Sequence, residues 1–187
     1  AVLGALAIRH LHRAQHPLIE LSAVKIQTFS IATLDAGNLI RLAISTTPFL
    51  LPLMFQVAFG LSAWSAGLFV LAYFLGNLLM KTVTTPALRR FGFRTVLVGN
   101  GVLAGLTIIA CGFLTPATSP FIVVPILLAA GLTRSMQFTA LATIAFADIE
   151  PHQRASSSTL SSMMQQVSMG LGVAVGAFLL NASQNAR

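Results

Sequence analysis

Charge is what this chain has least of. Only 8% of its 187 residues are charged, and the acids number four. Soluble domains carry about 25% charged residues, so a water-soluble fold of this size could not cover its surface. The apolar excess, 56% of the chain with a mean hydropathy of +0.85, must face lipid instead. Cysteine is almost absent too. Cys111 stands alone in an apolar run, which excludes an intrachain disulfide framework and any zinc-ligand spacing. It reads as a small buried or lipid-facing residue. No His-Glu-x-x-His pair, no acid pair inside an apolar run and no Gly-x-Ser-x-Gly elbow occurs. A membrane-embedded enzyme is therefore not expected, and neither is a metal or a cofactor. The net charge of +7 does not signal nucleic-acid binding, because the basic residues fall in short loops rather than in one patch.

What is present is a series of long apolar runs. A spanning helix needs about 20 apolar residues, and five segments qualify, at about 34–59, 63–83, 96–114, 121–146 and 160–180. None shows the alternation of barrel strands, so the expected class is an all-α integral membrane protein. The chain opens on "AVLGALAIRH" without Met. Residues 1–8 read as the end of a truncated transmembrane helix, 9–33 as a basic loop and 182–187 as an outer tail. No cleavable targeting signal is expected.

The charges alternate with the spans. Arg9, Arg13 and Lys25 precede the first; Lys81, Arg89, Arg90 and Arg94 separate the second from the third; Arg154 separates the fourth from the fifth. The links "GLSAW" and "TPATSP" carry none. The positive-inside rule makes the charged loops cytoplasmic, with Trp64 at an outer interface. His10, His12, His16 and His152 all fall in these loops and read as solvated. Asp35, Asp148 and Glu150 lie near span ends on the same side, so no acid sits deep in a span.

Two arginines do sit inside spans, where a charge costs roughly 2.5–3.5 kcal/mol on insertion scales. Arg41 lies about two turns into the first span. It can snorkel past Asn38 toward Asp35, or it can line an internal cavity. Arg134, in "GLTRSMQFTA", is about 18–20 Å from each end of its span at helical rise, too deep to snorkel. It either pins neighbouring carbonyls or lines a cavity. Ala130 and Gly131 leave it room, and Gln137, one turn on, shares its face. The first span has a polar side, Asn38, Arg41, Ser45, Pro48, Pro52 and Gln56, at three- or four-residue steps. The prolines are expected to bend it. Gly172 and Gly176 form a small-xxx-small pair for close helix packing, and Gly101 and Gly105 repeat the spacing.

The stretch "LPLMFQVAFGLSAWSAGL", the loop "LRRFGFR" and the later "ADIEPHQRASSSTLSSMMQQVSMGLGVAVG" resemble the fourteen-helix drug:proton antiporter class of the major facilitator superfamily. The resemblance covers nearly the whole chain. It implies five transmembrane helices of a six-helix bundle from the C-terminal half, preceded by the end of another helix, with the N-terminal bundle of the same protein missing. It also implies that the first and fourth spans line the central cavity and that the second and fifth face the other bundle. In the loop motif, Arg90, Gly92 and Arg94 match Arg-x-Gly-x-Arg, but Arg89 stands where the acid belongs. A gating salt bridge there is in doubt; Gly92 permits a tight turn, and the arginines hold helix ends or lipid heads or simply set topology.

The implied function is secondary active transport: proton-coupled efflux of drugs or other small molecules by alternating access, in a bacterial inner membrane. The proton-carrying carboxylate is expected in the missing half. Major facilitator uptake or exchange of a polar or anionic metabolite is the alternative, favoured by Arg41 and Arg134. A non-transport bundle is the third reading. The expected substrate pathway comprises Arg134, Gln137, Arg41, Asn38, Ser45 and Gln56. The expected partners are the lipid bilayer, a small-molecule substrate and protons.

Overall fold

The computed structural model describes residues 24–185, without the side chains of 179, 180 and 182–185. The expected helix end at 1–8, and Arg9 and Arg13 with it, lie outside the described residues. Six α-helices follow one another: α1 Gln27–Thr33, α2 Ala36–Leu53, α3 Ala63–Phe91, α4 Phe93–Gly112, α5 Pro120–Ala145 and α6 Arg154–Asn185. The stretches Gln27–Ala58, Ala63–Phe91, Phe93–Gly112 and Pro120–Ala145 are each long and apolar enough to cross a membrane. α6, at 32 residues, reaches about 48 Å at helical rise. The expectation of an all-α membrane bundle is met.

Three differences from the sequence reading have local causes. The end of the segment read as a basic loop, Gln27–Thr33, is helical. Phe29 is fully buried and meets Phe146 edge-on at 6.1 Å, in a cluster with Ala32, Ala145 and Ile149. Thr28 also donates to Asp148 at 2.8 Å. Docking on the end of α5 holds a turn that local composition does not announce. Second, α3 runs eight residues past the expected end, to Phe91. Its last-turn residues Arg89 and Arg90 oppose the negative end of the helix dipole. Third, α6 starts at Arg154 rather than near 160, and it continues to Asn185, into the segment read as a tail.

Links are short where glycine allows it. Gly92 alone separates α3 from α4, at φ 76° and ψ 156°, a region open essentially to glycine only. Its N–H donates to Leu88 O at 3.1 Å, and its carbonyl accepts from Val96 N at 3.2 Å. α3 begins at Ser62, whose hydroxyl accepts from Ser65 N at 3.2 Å, with Trp64 exposed beside it.

α2 carries Pro48 and Pro52 within one helix. Directly after Pro52 the chain widens into a π-helical turn, Met54–Ala58, in which Phe59 N–H donates to Met54 O at 3.0 Å. Proline removes an intrahelical donor, and a wider turn is one way to re-register the ladder beyond it.

Lipid offers no hydrogen bonds, so polar side chains on these helices bond inward. Thr84 donates to Met80 O at 2.7 Å, Thr143 to Thr139 O at 2.8 Å and Ser168 to Met164 O at 2.7 Å. The lipid-facing sides carry exposed large apolar residues, such as Leu71 and Leu78 on α3 and Val98, Leu103 and Leu106 on α4.

The core contact is between α3 and α5. A Cβ added to Gly131 would collide with Tyr73 O and Asn77 N, and one added to Gly76 would collide with Leu128 O. Gly131 therefore serves helix approach; the space beside it is filled by the α3 backbone rather than reserved for Arg134. The Gly172 and Gly176 pair packs α6 on α2. A Cβ at Gly172 would come within 2.8 Å of Leu42 O, and one at Gly176 within 2.8 Å of Thr46 Cγ2. Thr46 also donates to Gly172 O at 3.0 Å. The pair thus meets a neighbour within this chain. Gly105 has open space beside it, and Gly101 has only Gln137 Nε2, at 3.7 Å. Spacing alone did not separate these two pairs. Gly131→Ala should lower the thermal unfolding midpoint of the detergent-solubilised protein, at a cost of about 1–3 kcal/mol typical of overpacking. Gly105→Ala should leave the midpoint unchanged in the same assay.

Candidate functional site

A cleft with a volume of about 920 Å³ lies among α2, α5, α6 and the start of α4. One wall carries Phe138, Thr139 and Thr143 of α5, with Phe146 at its C-cap. The other carries Arg41 of α2 with Arg154, Ser158, Ser161 and Gln165 of α6; Phe93 closes one end. Phe93, Phe146 and Arg154 all belong to helix ends next to the basic links, so the cleft belongs to the basic end of the bundle. No carboxylate is among its lining residues.

Arg41 is 2% exposed, and its Nε and Nη1 have no hydrogen-bond partner. The sequence alone allowed it to snorkel toward Asp35. The structure instead encloses it, and among the described residues the one ion pair is His152–Glu150 at 3.2 Å. α6 packs beside the arginine: Ser168 meets Asn38 Oδ1, one turn before Arg41 on the same side of α2. Ser45, a turn further on, is buried with its hydroxyl unpartnered. Gln56 is exposed in the π-helical turn and does not line the cleft.

Arg134 is half-buried behind the cleft. Its guanidinium carbon lies 5.3 Å from the Phe138 ring centroid and 5.8 Å from that of Tyr73, within cation–π range. Arg134 Nε and the Tyr73 hydroxyl are both buried without a hydrogen-bond partner. With Thr107 and Thr133 they border a void of only about 10 Å³, at the lower limit for one water molecule. Arg134 therefore touches the cleft through Phe138 rather than lining it.

Gln137 turns away from Arg134. It is 1% exposed and accepts from Asn100 Nδ2 at 2.7 Å, while its own Nε2 donates to Leu97 O at 3.4 Å. Asn100 Nδ2 also donates to Thr133 O at 2.8 Å. This α4–α5 network borders a separate apolar groove of about 570 Å³, lined in part by Gly37, Ile40, Val98 and Leu141. A one-turn separation on α5 is enough to send the two polar residues to different neighbours.

The loop residues stay apart from the cleft. Arg90 stacks on Phe91 at 5.8 Å, Gly92 makes the turn, and Arg94 is exposed. Among the described residues no group of three His, Cys, Asp or Glu could hold a metal ion. Sequence reasoning passed over Asn100, Tyr73, Phe138 and Thr139. Asn100 had a signal, being a lone amide in the apolar run "VLVGNGVLAG"; the others had none that periodicity could isolate.

Residues 35–184 match the family model of the major facilitator superfamily. The chain belongs to that superfamily. Its members are membrane transporters rather than enzymes. The major facilitator segment is 33% identical over 167 residues to a protein of Haemophilus influenzae named as the transport protein HsrA, covering 89% of this chain and 36% of the relative. It is 32% identical over 182 residues to an Escherichia coli O127:H6 protein named as the multidrug resistance protein MdtD, covering 96% and 37%. The MdtD of Serratia proteamaculans is 29% identical over 173 residues, covering 92% and 36%. The chain thus spans a little over a third of the length of these relatives. No solved structure matches it.

The Asn100–Gln137 pair is testable by itself. Asn100→Leu should destabilise the bundle by about 1–3 kcal/mol, since it strands a buried amide oxygen. Asn100→Leu with Gln137→Leu should recover most of that loss. Thermal unfolding of the four members of the double-mutant cycle gives the coupling.

Proposed function

We propose that this chain forms one half of a secondary active transporter that exports small molecules by alternating access, with protons as the coupling ion. The observation that carries the reading is the cleft at the basic end of the bundle, with a buried, unpartnered arginine in a lining that also holds Arg154 and hydroxyl, amide and aromatic side chains. Its volume of about 920 Å³ suits a drug-sized ligand. Irregular backbone and unpaired polar groups at membrane depth are tolerated where they line a cavity. The names of the HsrA and MdtD relatives support transport, and the latter supports multidrug export.

In this reading the basic loops face the cytoplasm of a bacterial inner membrane, and the cleft receives substrate from that side. Arg41 sits on the wall formed by α2 and α6, with Asn38 a turn before it and outside the lining. Arg134 stacks behind Phe138 and sets the position of that ring. Ser45 lies buried a turn beyond Arg41 on α2, behind the lining. The second bundle of the full-length protein closes the cavity from across the cleft and supplies the proton-carrying carboxylate. Gln137 and Gln56 support the bundle and its lipid-facing end rather than the pathway.

Two measurements check this reading. In the full-length protein, Arg134→Ala should abolish or redirect substrate efflux from proteoliposomes carrying a proton gradient, while the amount of protein in the membrane fraction stays unchanged. Normal efflux by that variant would remove Arg134 from the pathway. For sidedness, a single cysteine at Arg94→Cys, in a background carrying Cys111→Ala, should react with an impermeant maleimide in inside-out vesicles and stay unlabelled in intact spheroplasts.

A further inference from the structure

We infer that the cleft selects amphipathic organic anions, and that Arg41 and Arg154 are the groups that read the negative charge. This rests on the reading of the cleft as a substrate site and specifies what it takes.

A buried guanidinium with free donors is costly unless an anion or acceptor completes it. Arg41 is 2% exposed and leaves Nε and Nη1 unsatisfied. Arg154, at the start of α6, adds a second guanidinium to the lining of the same cleft. Among the described residues no acid lines this cleft to neutralise either one. Asp148 accepts from Thr28 and Glu150 pairs with His152, while Asp35 is exposed and outside the lining. Ser161, itself 8% exposed, and Gln165 add neutral hydrogen-bonding groups to the arginine wall. The facing wall offers the rings of Phe138 and Phe146. A carboxylate, sulfonate or phosphate head matches the arginines, since a guanidinium fork binds such groups through two parallel bonds. An apolar or aromatic body matches the rings. A lipophilic cation finds no counter-charge in this lining.

The test uses the full-length protein in phosphatidylcholine nanodiscs, with fluorescein as the organic anion and ethidium as the cation, and reads fluorescence anisotropy. The expected result is fluorescein binding by the wild type, weakened about tenfold or more by Arg41→Gln and partly kept by Arg41→Lys. Arg154→Gln, at an exposed helix start, should weaken binding without any folding defect, and it carries the test if Arg41→Gln fails to fold. Fluorescein binding without efflux from proteoliposomes would uphold this inference and overturn the transport reading. Ethidium efflux without fluorescein binding would overturn this inference and uphold transport. If the arginines only hold anionic lipid, phosphatidylglycerol will co-purify with the wild type but not with Arg41→Gln, and fluorescein will bind neither; that result also overturns the inference.

Discussion

Gly131 sets the α5 backbone against Tyr73 O of α3, and Gly76 returns the contact at Leu128 O. In a lipid solvent no hydrophobic force drives helices together, so association depends on close van der Waals packing and on interhelical hydrogen bonds. This contact supplies the first. It also decides where the rest of α5 points: Tyr73 comes beside Arg134, Phe138 lies over the guanidinium, and Gln137 is delivered to Asn100 of α4. On the other side of the bundle, Gly172 and Gly176 do the same for α6 on α2, with Thr46 adding a hydrogen bond to Gly172 O.

Arg41 and Arg134, deep within their helices, are accommodated by different physics. Arg134 spreads its charge over two aromatic faces, Tyr73 and Phe138, which offsets part of its desolvation without a counter-ion. Arg41 has no such ring beside it; it lies in the wall of a large cleft, enclosed, with two buried nitrogens unpartnered. A helix-borne charge that is satisfied within its own bundle supports the fold. One left unsatisfied beside a cleft is a more direct candidate for contact with something that enters it.

The first four apolar helices and their order were legible from hydropathy because it is a local sum over a window. The long-range relations were not. Arg41 read as a helix-end cation able to reach water, yet it is 2% exposed, beside a Ser168–Asn38 contact formed across 130 residues of sequence. Gly131 read as space for its neighbour because sequence shows a helix only its own face. Gly101 and Gly105 carried the same spacing as Gly172 and Gly176, yet only the latter meet another backbone at close range. Gln137 shared a computed face with Arg134 but lies on the boundary where α5 passes from α3 to α4. In each instance the deciding partner came from another helix.

The short helix α1 bears on how this molecule can deform. The close glycine contacts group the helices into α2 with α6 and α3 with α5, and the cleft runs between these groups, with Arg41 and Arg154 on one side and Phe138 and Phe146 on the other. It is a seam, so it can widen or narrow while every glycine contact stays closed. α1 crosses that seam at the basic end. It is tied to α5 through Phe29 and Thr28, and it joins α2 through the two residues Leu34 and Asp35. The seam is therefore held at both ends, by α1 at the basic end and at the other by Leu51 and Phe55, which share a buried apolar cluster with Ala66, Tyr73 and Leu127, so any widening of its lips is confined between these two ties.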